Sequence, residues 1–184
     1  EKYYITGTLR ADAVPRFPSN SRWGYFPGME LAWLLSNESF LENSKVVDFL
    51  KLRLSAATLG NDNTNGAYDY LAGYSIISNT NEWYYTGNTL QPAIRTLGIP
   101  NPNITWQVST IYNMGIDAHF LDRGNLHASL DVFYRKRTNL LASANSQIPG
   151  TVGASLPLTN INSRDNRGFE ATIGYKGGDE FRYG

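Results

Sequence analysis

The stretch "TWQVSTIYNMGIDAHFLDRGNLHASLDVFYR" (105–135) decides the fold, because its alternate letters belong to two different solvents. The even positions run Trp106, Val108, Thr110, Tyr112, Met114, Ile116, Ala118 and Phe120, then Leu126, Ala128, Leu130, Val132 and Tyr134. The odd positions run Gln107, Ser109, Ile111, Asn113, Gly115, Asp117 and His119, then His127, Ser129, Asp131, Phe133 and Arg135. A period of two puts these sets on opposite faces of β-strands. With 121–125 as the loop, Phe120 opposes Leu126, Ile116 opposes Leu130, Met114 opposes Val132 and Tyr112 opposes Tyr134. The odd face then pairs His119 with His127, Asp117 with Ser129, Gly115 with Asp131 and Ile111 with Arg135. At ~3.3 Å per residue, 105–120 covers roughly 50 Å, which is long for a sandwich strand. Tilted by ~40°, such a strand crosses an apolar band of ~25 Å and projects beyond it.

Periodicity alone serves two architectures. In a soluble sandwich the even face is the core; in a membrane barrel it meets lipid and the odd face lines a wet lumen. Composition narrows the field. The 184 residues carry 16 basic and 16 acidic side chains, so no overall field argues for nucleic acid. Cysteine is absent, which removes disulfides, thiolate zinc sites and cysteine nucleophiles. No signal peptide opens the chain, and no apolar run reaches the ~18–20 residues of a spanning helix, which excludes a helical membrane protein. The aromatic share of 13% and the 17 glycines suit an all-β chain with polar loops.

Further strands are expected at 3–14, 22–35, 49–59 and 167–176, with a short helical turn capped by Ser36 or Asn37 within 36–48. Pro27 removes a ladder donor, so a bulge or a locally unpaired stretch is expected there. Residues 60–104 and 143–166 read as long polar loops, with a hairpin arm at 70–78 inside the first, and 177–180 as a tight turn. Long and short connections alternate along the chain. An up-and-down meander collects the long ones at one end, as outer-membrane barrels do with extracellular loops and periplasmic turns.

Six spaced segments go beyond pattern: "YYITGTLRAD…RF" (3–17), "RWGYFPGMELAW" (22–33), "FLKLRLSAATLGNDN" (49–63), "PNPNITWQVSTIYNMGID" (100–117), "LDVFYRKRTNLL" (130–141) and "NRGFEATIGY" (166–175). Together, and in this order, they resemble the C-terminal half of the barrel in SusC/RagA-type TonB-dependent outer-membrane transporters, almost from end to end. Two departures stand out: Ala13-Val14-Pro15 where relatives carry a Gly-Ser-Ser-like turn, and Gln107 where an acidic residue follows the tryptophan.

The resemblance implies an all-β fold, an antiparallel up-and-down segment of a transmembrane β-barrel of about 22 strands. It makes 1–184 one barrel segment, with the plug domain and the other strands lying elsewhere. It implies the bacterial outer membrane, import of a glycan or peptide without catalysis or cofactor, a SusD-like surface lipoprotein as partner, and a TonB complex engaged through an N-terminal part. Outer-membrane lipid would surround it.

Candidate site residues follow from the two faces and the loops. Asn113, Asp117, His119, Asp131 and Arg135 are the expected lumen-facing set. "EWYY" (82–85) supplies Trp83, Tyr84 and Tyr85, which with Asn88 combine flat apolar rings with amide donors suited to a sugar or peptide. An alternative is a soluble β-rich carbohydrate-binding module using this platform; a packed loop is the plainer account of the same rings. "NDNTNG" (61–66) departs from a calcium loop, with Asn61 first and Ala72 in the twelfth place, and His119 with His127 lacks a third ligand. No metal is therefore expected. There is no Gly-x-Ser-x-Gly elbow, and no spacing singles out a carboxylate pair.

Overall fold

The computed structural model describes residues 1–42, 44–64, 66, 68–77, 84–86, 89–96, 98–121, 125–143 and 156–176, with backbone alone for 77, 84–86 and 89–91. Six long strands form one antiparallel sheet: β1 (Tyr3–Ala13), β2 (Trp23–Leu34), β3 (Val47–Asn61), β8 (Gln107–Phe120), β9 (Leu126–Ser143) and β10 (Leu158–Tyr175). Each pairs with its neighbour in that order, so the sheet is an up-and-down meander. Four short strands lie inside the β3–β8 connection. Of these, β4 (Tyr74–Ile77) pairs with β7 (Ala93–Thr96), and β5 (Tyr84–Thr86) with β6 (Thr89–Gln91).

The β8–β9 register is the one the alternation requires, with Phe120 opposite Leu126 and Tyr112 opposite Tyr134 along the whole hairpin. Rows then continue across the sheet: Leu31, Leu54, Met114 and Val132 stand in line, as do Arg53, Gly115, Asp131 and Glu170. The expected turn after β2 is present as a 3-10 turn at Leu35–Asn37, but neither Ser36 nor Asn37 caps it. Asn37 instead donates its amide to the Glu1 carbonyl at 3.0 Å, which ties the turn to the start of the chain.

One expectation needs correction. The stretch 143–166 is not all loop, because β10 begins at Leu158 and pairs with β9 from Ser143 onward. Its first rows are irregular, with register shifts between Asn160 and Asn162 and between Asn162 and Arg164; these bulges hide the period of two from the sequence. Pro27 does not disturb the β1–β2 ladder, where it sits opposite Leu9. Its missing donor shows on the other side: the β2–β3 ladder ends at Gly28 opposite Ala57, and Thr58 Oγ1 donates to the Pro27 carbonyl at 3.1 Å.

The buried core is small and sits at the end of the sheet with the longer connections. Phe17, Phe26, Ile104 and Trp106 form it, with both phenyl rings meeting the indole edge-on at centroid distances of 5.3 Å. The ring of Phe26 lies where a side chain on Gly24 or Gly60 would project, so these glycines make room for it. The apolar face is half-exposed on the middle strands, with Met114 at 49% and Val132 at 53%, and open on the edge strands, where Ile173 is 78% exposed. Among the described residues no second layer covers this face.

Candidate functional site

Two faces of one sheet carry the chemistry. On the apolar face, Met29, Leu31, Leu54, Met114 and Val132 line a shallow groove of about 590 Å³. Tyr112 and Tyr134 stack above it with centroids 6.4 Å apart, and the Tyr134 hydroxyl donates to Asp165 at 3.0 Å. Near the other end, Tyr3 stacks on Trp33 at 6.0 Å. Aromatic rings with one wet edge at both limits of an apolar belt are the pattern of a membrane-spanning barrel wall.

On the polar face the side chains bond to one another. Arg53 grips Asp117 with both arms of its fork, Nε to Oδ2 at 2.7 Å and Nη2 to Oδ1 at 2.9 Å. The same Nη2 reaches across β8 to Asp131 Oδ2 at 3.2 Å. That reach depends on Gly115, which lies between Arg53 and Asp131 in their row; a Cβ there would meet both side chains. Asn113 Nδ2 and Ser129 Oγ donate to the same Asp131 carboxylate at 3.2 and 3.3 Å. Bidentate charge-assisted bonds of this kind are short and directional, so the lattice fixes three strands against each other.

Of the expected polar set, Asn113, Asp117 and Asp131 are thus brought into one network, and Arg53 is the member that strand reading missed. His119 lies one residue pair from the lattice, its ring 4.9 Å from that of Phe49. Arg135 shares the face but stands apart, toward the long connections. Among the described residues no group of three or more His, Asp or Glu could hold a metal. Residue Asn61, first in the calcium-like loop, accepts from the Asn63 amide at 2.9 Å, an ordinary asparagine turn.

The loop candidates fare differently. Trp83 and Asn88 lie outside the described residues, as do the side chains of Tyr84 and Tyr85 and the 177–180 turn. What is described nearby is a cleft of about 310 Å³ lined in part by Tyr68, Asp69, Leu71, Ile99 and Leu158. Its frame is polar: the buried Asn101 donates its amide to the Leu158 carbonyl at 2.7 Å, and Asn160 bonds both the amide and the carbonyl of Thr105. These contacts fasten the end of the long β3–β8 connection to the start of β10.

Comparison with known proteins agrees with this geometry. A family model described as TonB dependent receptor-like, beta-barrel, matches residues 1–184. The chain is 34% identical over 176 residues to the TonB-dependent receptor SusC of Bacteroides thetaiotaomicron, covering 95% of this chain and 17% of SusC. It is also 34% identical over 175 residues to the TonB-dependent receptor P39 of Formosa agariphila, covering 95% of this chain and 16% of that one. Among solved structures, the RagAB peptide importer in its closed-closed state aligns with a TM-score of 0.75 at 25% identity, over 94% of this chain and 18% of the other. The open-open state of the same importer gives 0.79 at 24% identity over 98% and 19%. This chain belongs to the TonB-dependent receptor family, as a segment of its outer-membrane β-barrel, and spans less than a fifth of the relatives' length. Its place is the bacterial outer membrane, and the family is one of transport receptors rather than enzymes.

Proposed function

We propose that this chain is a wall segment of a TonB-dependent importer that carries an oligosaccharide or peptide nutrient across the outer membrane without catalysis. In this reading the apolar belt faces lipid, and the face bearing Asn113, Asp117, His119, Asp131 and Arg135 lines the lumen. The observation that carries it is the contrast between the faces: exposed aliphatic side chains bounded by stacked tyrosines on one side, and the Arg53 lattice on the other. The connections 62–106 and 144–157 then lie outside the cell, where Trp83, Tyr84, Tyr85 and Asn88 contact cargo under a SusD-like lipoprotein. The plug, the remaining strands and the TonB contact belong to other parts of the protein.

Spin labels in the full-length transporter in lipid vesicles test the orientation. Labels at Ile116 and Leu130 are expected to collide with dissolved oxygen, and a label at Asn113 with a water-soluble nickel complex. The reverse pattern would refute the orientation.

A further inference from the structure

Above the Arg53 lattice, toward the long connections, the same face turns cationic. Arg137 stands opposite Arg164 in one row, and Arg135 stands opposite Asn166 in the next. Like charges directly opposite on adjacent strands disfavour each other, so this arrangement weakens the apo sheet unless something offsets it. Nothing on the described wall does. Among the described residues none of the three arginines makes an ion pair, while Asp117 and Asp131 are engaged by Arg53. Asp131 is four residues from Arg135 along β9, roughly 13 Å at the rise of a strand. Asp62 is paired with Arg16, and Asp69 accepts from the Gly66 amide. The connection 144–157, "ANSQIPGTVGASLP", contains no acidic residue.

The arginines also border space. Arg135 and Arg137 line a cavity of about 280 Å³ together with Asn61, Gln107, Ser109 and Ile111. The Arg135 Nε is shut away from solvent and has no hydrogen-bond partner among the described residues. A buried guanidinium donor without a partner is costly, and a planar fork matches a carboxylate in two parallel bonds. Amide and hydroxyl groups beside it supply further directional contacts.

We infer that Arg135 and Arg137, reinforced by Arg164, form an oxyanion-recognition site on the transport wall that takes a carboxylate carried by the cargo. The inference rests on the importer reading and adds to it that the cargo is acidic. The zero net charge of the chain conceals this, because Arg53 below engages Asp117 and Asp131 while the arginines above it have no ion-pair partner among the described residues.

The test uses the full-length transporter in detergent, with four probes: trigalacturonate and triglutamate as acidic oligomers, maltotriose and trialanine as neutral ones. Wild type is expected to bind an acidic probe, and Arg135→Gln with Arg137→Gln to weaken that binding about tenfold or more. Arg164→Gln, away from the cavity lining, is expected to weaken it less and serves as the second variant should the double fold poorly. Which acidic probe responds distinguishes a uronic sugar from an acidic peptide. Binding of neutral probes alone, or an equal loss for acidic and neutral probes, overturns the inference and leaves the importer reading standing. If none of the four binds, the inference is overturned as well, and the importer reading is decided by the spin-label test.

Discussion

The cluster around Trp106 and the belt around Ile116 are made of the same kinds of residue and live in opposite circumstances. Phe17 and Ile104 are 1% exposed, because the connections that carry them pack, with Tyr70, against Phe26 and Trp106. Met114, Val132 and Leu130 are about half exposed, with nothing over them among the described residues. In the first place the protein supplies its own apolar solvent; in the second, on the proposed orientation, it borrows one from the bilayer. The difference teaches that apolar alternation reports a face and not its surroundings. What separates the two is whether a connection returns to cover the strand end.

The largest effect is expected from the covered region. Trp106→Ala removes the ring shared by both edge-on contacts and should cost ~3–5 kcal/mol, the range for deleting a buried aromatic. A urea titration of the full-length barrel in vesicles, with limited proteolysis of 62–106, measures it; an unchanged midpoint would mean the cluster contributes no stability. Next comes the belt. Ile116→Arg should destabilise by ~2–4 kcal/mol if the site lies near the bilayer midplane. Ile116→Ala should cost far less, because lipid fills the space it vacates. Equal costs for the two would place Ile116 in a protein interior and erase the contrast.

The polar lattice sharpens the comparison from the other face. Arg53→Met leaves Asp117 and Asp131 facing each other in a partly wet site, and a loss of about 1–2 kcal/mol is expected. Adding Asp117→Asn should return part of it in a double-mutant cycle, whereas strict additivity would show that the pair does not interact.

The smallest effect lies at the turn end. Glu38 accepts from Lys2 at 2.9 Å, from Trp33 at 3.1 Å and from Tyr3 at 3.0 Å, and these bonds, the Lys2 one foremost, hold its carboxyl below the usual carboxylate range. A depressed folded-state value means the contribution is present above the ordinary glutamate pKa and is lost as pH falls through the lowered one. The Leu41 and Glu42 amides donate to the Glu38 carbonyl at 2.9 Å, so their exchange should quicken on acidification through that window, modestly because the site is solvated. Glu38→Gln should flatten the response, and a pH profile that survives in the variant would assign it to another group.

The reach of the sequence varied with the length of the connection. The 121–125 loop is short, so the β8–β9 pairing follows from counting, down to Ile111 opposite Arg135. The β3–β8 pairing is closed through 62–106, and no count across that interval could set Lys51 opposite Asp117 or Arg53 opposite Gly115. Arg53 was visible as a polar-face residue, but its two partners were not, since they depend on that register. The start of β10 was obscured for a local reason: Asn160 and Asn162 look like turn formers and occupy bulges, where the side-chain period breaks. The aromatic loop at 82–85 could be named for its chemistry alone.

Gly115 has one more consequence. A slip of one residue between strands would turn every side chain to the wrong face, and the apolar pattern forbids it. A slip of two keeps every face intact, so hydrophobicity does not object. In that misalignment Arg53 would stand opposite Asp117 or Asn113, and a side chain would block its path over β8. The missing Cβ thus serves as a key in a lock, admitting one alignment among several that burial alone would accept.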